Sequence, residues 1–236
     1  MIHPYEDRYR RVYSAGARFW ETPIPTEELT DFLRERDISK DSKVIEFGCG
    51  EGRDSIFLAK LGFKVTAVDV APSAINRARE WAQEEGVNVD FQVNDATALK
   101  GIPDKVFELG VNVGCLLMFP EHGDRRKHFS EAFRVLKPAA LYFLCNMAVL
   151  TREEVEQEFG EKYSWPKVGD LTLRKIIVDG EEKEILLPII AGHGFTKEEL
   201  FRELSEAGFR IIEAQRKKTR LHGICWIIIA QKPEKR

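Results

Sequence analysis

The chain has 236 residues, 43% of them hydrophobic, which is enough to bury one sizeable core and suits a single α/β domain. Lysine and arginine number 36 against 39 aspartates and glutamates, and the resulting net charge of −3 gives no electrostatic drive toward nucleic acid or an anionic membrane. No apolar run approaches the roughly 20 residues that cross a bilayer, the amino terminus has no signal-like stretch, and Cys49, Cys115, Cys145 and Cys225 form no CxxC pair, so the expectation is a soluble cytoplasmic protein with reduced thiols and no metal site.

Residues 1–38 read as a leader carrying Tyr5, Tyr9, Tyr13, Phe19 and Trp20, then Pro23 and Pro25, then an amphipathic helix that starts near a Thr26 cap. From residue 39 onward, short β-rich apolar runs alternate with helical periodicity, the pattern of a parallel sheet wrapped by helices. Strands are predicted at 43–47, 64–68, 89–93, 106–113 and 140–145, separated by helices at 53–61, 72–84 and 124–136, the last ending before Pro138. Residues 148–195 form an insertion, a short helix followed by a hairpin that turns at Asp179 and Gly180. A helix at 196–207 and strands at 209–214 and 223–231 complete the set. No repeat or linker asks for a second domain, so 1–236 is read as one domain: leader 1–38, a first half 39–147, the insertion 148–195 and a final 196–236.

The strongest local signal is Val44-Ile45-Glu46-Phe47-Gly48-Cys49-Gly50-Glu51-Gly52-Arg53. Glycines at alternate positions between a strand and a helix let the backbone approach a ligand at a helix amino terminus, where N–H groups point outward. The spacing is GxGxG, not the GxGxxG of dinucleotide sites, and the acidic Glu46 precedes it. Asp69 ends the second strand 21 residues after Gly48, where a carboxylate accepts both hydroxyls of a ribose. Asn94-Asp95-Ala96 follows the third strand and suits an adenine, through the Asp95 side chain and the Ala96 N–H. Singly, each feature reads equally as a turn or a helix cap. Together they sit at the carboxyl ends of consecutive strands, the crevice where doubly wound sheets bind ligands.

On these residues, the chain from 39 to 231 resembles the class I S-adenosylmethionine-dependent methyltransferases. The run Phe47-Gly48-Cys49-Gly50-Glu51-Gly52-Arg53-Asp54-Ser55, with Val65-Thr66-Ala67-Val68-Asp69 after it, is most similar to the tellurite-resistance and thiopurine methyltransferase branch. Gly208-Phe209 before one strand and 223–231 as the next match that family's reversed final hairpin. The resemblance implies a Rossmann-like, doubly wound α/β sheet of strand order 3-2-1-4-5-7-6 with the seventh strand antiparallel, plus the N-terminal helical leader and the insertion after the fifth strand. It implies S-adenosyl-L-methionine as cofactor and S-adenosyl-L-homocysteine as product, bound in the half 39–147. Glu46, Gly48, Cys49, Gly50 and Gly52 would surround the methionine and ribose, and Asp69 would take the ribose hydroxyls. Val70 would lie against adenine, Asp95 and Ala96 would read its edge, and the backbone at Val113 and Gly114 would hold the methionine amino group. Cys49 and Cys115 then read as wall residues, not nucleophiles.

Methyl transfer from a sulfonium is an in-line displacement at an already activated carbon, so the protein mainly supplies proximity, alignment and exclusion of water. Soft sulfur, selenium or tellurium anions need little further help, whereas an amine or hydroxyl needs a proton acceptor. Leu117-Met118 stands where many relatives place a histidine pair, and the Asn/Asp-Pro-Pro-Tyr/Phe motif of nucleobase and glutamine methyltransferases is absent from the sequence. The expectation is therefore a methyltransferase of a small-molecule substrate, a soft nucleophile favoured, with no nucleic-acid or membrane partner, as a monomer or homodimer. The alternatives are N- or O-methylation of a small metabolite, or a non-catalytic S-adenosylmethionine-binding module. The catalytic candidates are His193, at the end of the insertion, Asn146, which reads equally as a cap, and Tyr13. His122, His128 and His222 read as surface or turn residues. Arg18-Phe19-Trp20 resembles the tryptophan-bearing segment that folds over the cofactor in that branch. Phe19 and Trp20, with Met118 and His193, are thus the expected lid and substrate-side residues, and surface packing of the leader is the alternative.

Overall fold

The computed structural model describes residues 4–18, 24–160, 166–190, 192 and 194–234. Helices α1 (Pro4–Ser14) and α2 (Glu27–Glu35) precede β1 (Lys43–Phe47), α3 (Arg53–Lys60), β2 (Lys64–Asp69), α4 (Pro72–Glu84), β3 (Asp90–Val93) and β4 (Phe107–Val113). A 3-10 turn at Leu116–Met118 leads to α5 (His122–Val135) and β5 (Leu136–Met147). The insertion holds α6 (Arg152–Phe159), β6 (Leu171–Val178) and β7 (Glu181–Pro188), and α7 (Lys197–Glu206), β8 (Arg210–Thr219) and β9 (Gly223–Gln231) follow.

Seven strands form one sheet in the order β3-β2-β1-β4-β5-β9-β8, while β6 and β7 form a separate ribbon. β1 to β5 run parallel, and β9 is antiparallel to both its neighbours. With the ribbon left aside, this is the 3-2-1-4-5-7-6 order with a reversed last strand. The central strands read as continuous apolar runs because both faces are covered. Val44, Val65, Leu109, Val111 and Phe143 pack on one face with Leu29, Phe32, Ile56, Ile75 and Trp81 from α2, α3 and α4. Ile45, Phe47, Leu144 and Ile228 pack on the other with Phe129, Ala132, Leu200 and Leu204 from α5 and α7. Among the described residues, no helix is long and apolar enough to cross a membrane.

The hairpin turns where predicted, with Asp179 and Gly180 at φ 53° and 82°, the conformation a tight two-residue turn demands. Two boundaries and one cap differ from the sequence reading. β5 begins at Leu136, directly out of α5; Pro138 is tolerated because the ladder with β4 shifts register between Phe107 and Leu109, so a missing N–H there breaks no regular pairing. β8 continues past 214 to Thr219, paired with Gly223, as an exposed edge strand whose run of Gln215, Arg216, Lys217 and Lys218 lacks the apolar alternation of a half-buried strand. Thr26 does precede α2, but its side chain does not cap it; its backbone N–H and hydroxyl both donate to the Asp54 carboxylate, at 2.7 and 2.8 Å. Arg53 donates to the same carboxylate at 2.9 Å and to the Thr26 hydroxyl oxygen at 2.8 Å, so a buried ion pair at the start of α3 is bonded through Thr26 to the chain entering α2.

Candidate active site

β1 ends at Phe47, and the next two backbone N–H groups, of Gly48 and Cys49, both donate to the Val68 carbonyl at 2.8 and 3.0 Å, which stitches the glycine turn to the end of β2. Gly48 and Gly50 lie at φ +70° and +54°, in the left-handed region that penalises a Cβ. A Cβ on Gly48 would lie 2.5 Å from the Cys115 sulfur, and one on Gly50 would lie 2.6 Å from the Tyr9 hydroxyl. The loop thus carries no side chain at Gly50, where it meets Tyr9 of α1, or at Gly48, where it meets Cys115. Asp69 sits at the tip of β2, and its carboxylate accepts from the Gly50 N–H at 2.8 Å and the Ala71 N–H at 2.9 Å. It both braces the glycine loop and serves the start of α4.

Glu46 lies beneath this loop, 3% exposed, and accepts from the Ser55 hydroxyl. Burial, followed by the neighbouring Asp54 carboxylate, raises its pKa to about 8, against the opposing pull of Ser55 and Arg53, so it is largely a neutral acid at pH 7. Cys49 and Cys115 are buried, and burial followed by the Asp69 and Glu46 carboxylates pushes both thiols up. Neither is a ready thiolate at neutral pH.

On the β3 side, the Asp95 carboxylate accepts from the Thr97 N–H and hydroxyl, both at 2.8 Å, forming a tight turn that leaves Ala96 buried. Val70 is half-buried beside Asp69. At the tip of β4, Val113 and Gly114 are half-buried, and the Gly114 N–H donates to the Cys145 carbonyl at 2.9 Å. Asn146, 1% exposed at the tip of β5, has its amide engaged on both sides: Oδ1 accepts from the Leu116 N–H at 3.1 Å and Nδ2 donates to Asn112 Oδ1 at 3.1 Å.

Helix α1 roofs these tips. Tyr5 donates to the Met118 carbonyl, Glu6 accepts from the Ser73 N–H and hydroxyl at 3.0 and 2.9 Å, and Arg8 donates to the Pro188 carbonyl at 2.9 Å. The tyrosines visible in the sequence as a four-residue repeat therefore face the site. Burial, then the Glu51 carboxylate, pushes the Tyr13 hydroxyl well above its ordinary value, so it stays protonated. The return from the insertion lies against the rim, since the Gly192 N–H donates to the Leu117 carbonyl at 2.9 Å and the Phe195 N–H to the Met147 carbonyl at 3.0 Å. Phe19, Trp20 and His193 lie outside the described residues.

Two of the histidines read as surface or turn residues are not exposed. His128 is 0% exposed, with burial lowering its pKa to about 4. His222 is half-buried, lowered to about 4 by burial and then by Arg53, which approaches its Nε2 at 3.4 Å. Glu51, 1% exposed within the glycine loop and close enough to raise the Tyr13 pKa, was left unassigned by the sequence reading; a lone glutamate between two glycines carries no periodic signal of burial.

The profile of a methyltransferase domain family matches residues 44–139. A protein of Oceanobacillus iheyensis named as an uncharacterized RNA methyltransferase is 33% identical over 138 residues, 57% of this chain and 29% of its own length. The ubiquinone biosynthesis O-methyltransferase of Xanthomonas oryzae is 29% identical over 137 residues, 55% of this chain and 56% of its own. The match thus spans between 29% and 56% of these relatives' own length. A solved S-adenosylmethionine-dependent methyltransferase of Methanosarcina mazei, 28% identical, superposes over 86% of this chain and 98% of its own with a TM-score of 0.65. The matched residues hold the glycine loop, Asp69 and the turn at Asp95 and Ala96, so the similarity to S-adenosylmethionine-dependent methyltransferases covers the strand tips of the candidate site.

Proposed function

We propose that the chain transfers a methyl group from S-adenosylmethionine to a small-molecule acceptor, with a soft sulfur, selenium or tellurium nucleophile favoured, as a cytoplasmic monomer or homodimer of the tellurite-resistance and thiopurine branch. The observation that carries this reading is the glycine loop, with Asp69 and the Asp95 turn at neighbouring strand tips, roofed by the tyrosine face of α1. A Cβ-free loop braced by a carboxylate fits the amino-acid and ribose portions of the cofactor, and the buried Ala96 beside Asp95 fits an adenine. When bound, the cofactor supplies a methyl group on a sulfonium. The chain's own part is to orient it with the loop and Asp69, and to exclude water with Tyr5, Tyr9 and the rim at Leu117 and Met118.

A soft nucleophile is favoured because the candidate polar groups of the site are poor proton acceptors: Tyr13 holds its proton, Glu46 is largely neutral, and the Asn146 amide is committed to the β4 tip. Oxygen methylation is the second reading, favoured by the name of the Xanthomonas relative, with His193 as its candidate base. The RNA reading suggested by the Oceanobacillus name is disfavoured by the net charge of −3 and the roof over the site. S-adenosylhomocysteine is expected to raise the melting temperature, since a ligand of the folded state stabilises it by about 2.7 kcal/mol at a hundredfold excess over its Kd. No shift at millimolar ligand would sink the cofactor assignment. Turnover across a panel of thiols, selenols, tellurite, phenols and amines then ranks the acceptor classes.

Glu46 gives a second test. Its folded pKa of about 8 lies above the ordinary 4.5, so the stability it contributes is full below pH 4.5 and is lost as pH rises through 8. A ligand ammonium arriving beside it favours the carboxylate, so binding at pH 7 is expected to release up to about one proton. Calorimetry in two buffers of different ionisation enthalpy reads this directly. A binding enthalpy independent of buffer would mean that Glu46 does not face the ligand's charged end.

A further inference from the structure

Between α5 and the sheet lies a buried polar chain that the proposed chemistry does not use. Asn112, His128 and Tyr142 are 0% exposed and Asn146 is 1% exposed, and Gly110 makes room for them, since a Cβ there would lie 2.9 Å from the Tyr142 ring. Four polar side chains in an apolar core are costly unless fully bonded. Here the bonding is complete and runs one way. The Leu116 N–H can only donate, so Asn146 presents Oδ1 to it at 3.1 Å. Asn146 Nδ2 then donates to Asn112 Oδ1 at 3.1 Å, which turns Asn112 Nδ2 toward the Tyr142 oxygen at 3.3 Å and His128 Nε2 at 3.0 Å. At the far end the Ala96 carbonyl can only accept, so His128 Nδ1, 3.0 Å away, carries the proton. Nε2 is left as an acceptor, and the Tyr142 hydroxyl donates to it at 2.7 Å. A second proton on Nε2 would face the Asn112 amide donor and require the Tyr142 hydroxyl to turn round, and with burial this agrees with the ring staying neutral down to about pH 4.

We propose that His128 is a positioning residue for the cofactor: its Nδ1–H holds the Ala96 carbonyl and with it the turn at Asp95 and Ala96, and the one-way chain through Tyr142, Asn112 and Asn146 ties that turn to the tip of β4 at Leu116. This rests on the reading of Asp95 and Ala96 as the adenine contact. The two tips are otherwise separate loops, and the chain sets them in one register before any ligand arrives, which lowers the ordering cost of binding.

Two isosteres divide the ring's functions. Asparagine places an amide where Nδ1 stands and keeps the bond to Ala96; glutamine places one near Nε2 and keeps the bonds to Tyr142 and Asn112. His128→Asn is expected to bind S-adenosylhomocysteine within about threefold of the unaltered protein, and His128→Gln about tenfold more weakly, although the smaller asparagine leaves the larger cavity and lowers the melting temperature at least as much. Amide exchange at Thr97 and Ala98 is expected to accelerate in the glutamine variant only. Should both variants lose affinity in step with their melting temperatures, His128 is a core residue and the inference is overturned. Nitrogen-15 spectra of the unaltered protein at pH 7 are expected to show the Nδ1–H tautomer, and the Nε2–H tautomer or the imidazolium would overturn it even if neither variant folds. Failure of S-adenosylhomocysteine to bind the unaltered protein would instead overturn the cofactor reading beneath it, whatever the tautomer.

Discussion

Asp69→Ala is expected to weaken S-adenosylhomocysteine binding by on the order of 2–4 kcal/mol while leaving the sheet folded. The carboxylate is 9% exposed and already accepts from Gly50 and Ala71, one bond to each oxygen. A carboxylate oxygen has room for a further donor, so ribose hydroxyls are expected to add to these bonds without displacing them. Alanine removes both effects, the direct acceptor and the brace on Gly50. They separate in a cycle with a ligand analogue that lacks the ribose hydroxyls. The unaltered protein is expected to bind that analogue more weakly than S-adenosylhomocysteine, and Asp69→Ala to bind the two alike. Unchanged affinity in a folded Asp69→Ala protein would reduce Asp69 to a cap for α4, with a melting-temperature loss as its only trace.

The place of Asp69 at the tip of β2 beside the glycine loop was legible because its signal is local: a strand with both faces buried, a fixed distance from a GxGxG turn, and a carboxylate at the tip. The same holds for β1 to β4 and for the hairpin turn at Asp179 and Gly180. What stayed hidden depends on partners far away in the chain. Thr26 looks like a helix cap, yet its hydroxyl bonds Asp54 across 28 residues. His128, in a helix segment rich in arginine and lysine, reads as exposed until Gly110 and Tyr142 on two different strands open a polar pocket for it. The end of β8 is polar because it is an edge, and its pairing is set by β9 rather than by its own composition. The repeat of Tyr5, Tyr9 and Tyr13 shows that one helix face is special; only the approach of Tyr9 to Gly50 shows that this face meets the glycine loop.

Removal of residues 1–18 is expected to leave the sheet intact and cripple the site. The two clusters that flank the sheet contain no buried residue before Leu29, so their burial survives the loss of α1. A third cluster does not: Val12 and Ala17 pack on Ile176, Val178 and Leu187, and without them the inner face of the β6 and β7 ribbon meets water. The ribbon is expected to loosen, because an isolated two-stranded hairpin is at best marginally stable. α4 also loses Glu6 from its first turn, about 1 kcal/mol by analogy with a helix cap. These are modest losses of stability. The cofactor site loses much more, since Tyr5 no longer ties the roof to Met118 and Tyr9 no longer covers Gly50, so water enters beside the loop and the acceptor is no longer held in line. Lost aromatic contact alone is expected to weaken ligand binding by about 2 kcal/mol, roughly thirtyfold, with turnover falling further. Calorimetry, melting curves and amide exchange across 171–188 read the three effects separately. Global unfolding of the truncated protein would make α1 part of the core. Undiminished affinity and turnover would show that the tyrosine face merely packs on the loop, and the enclosure that favours a small-molecule acceptor would lose its physical basis.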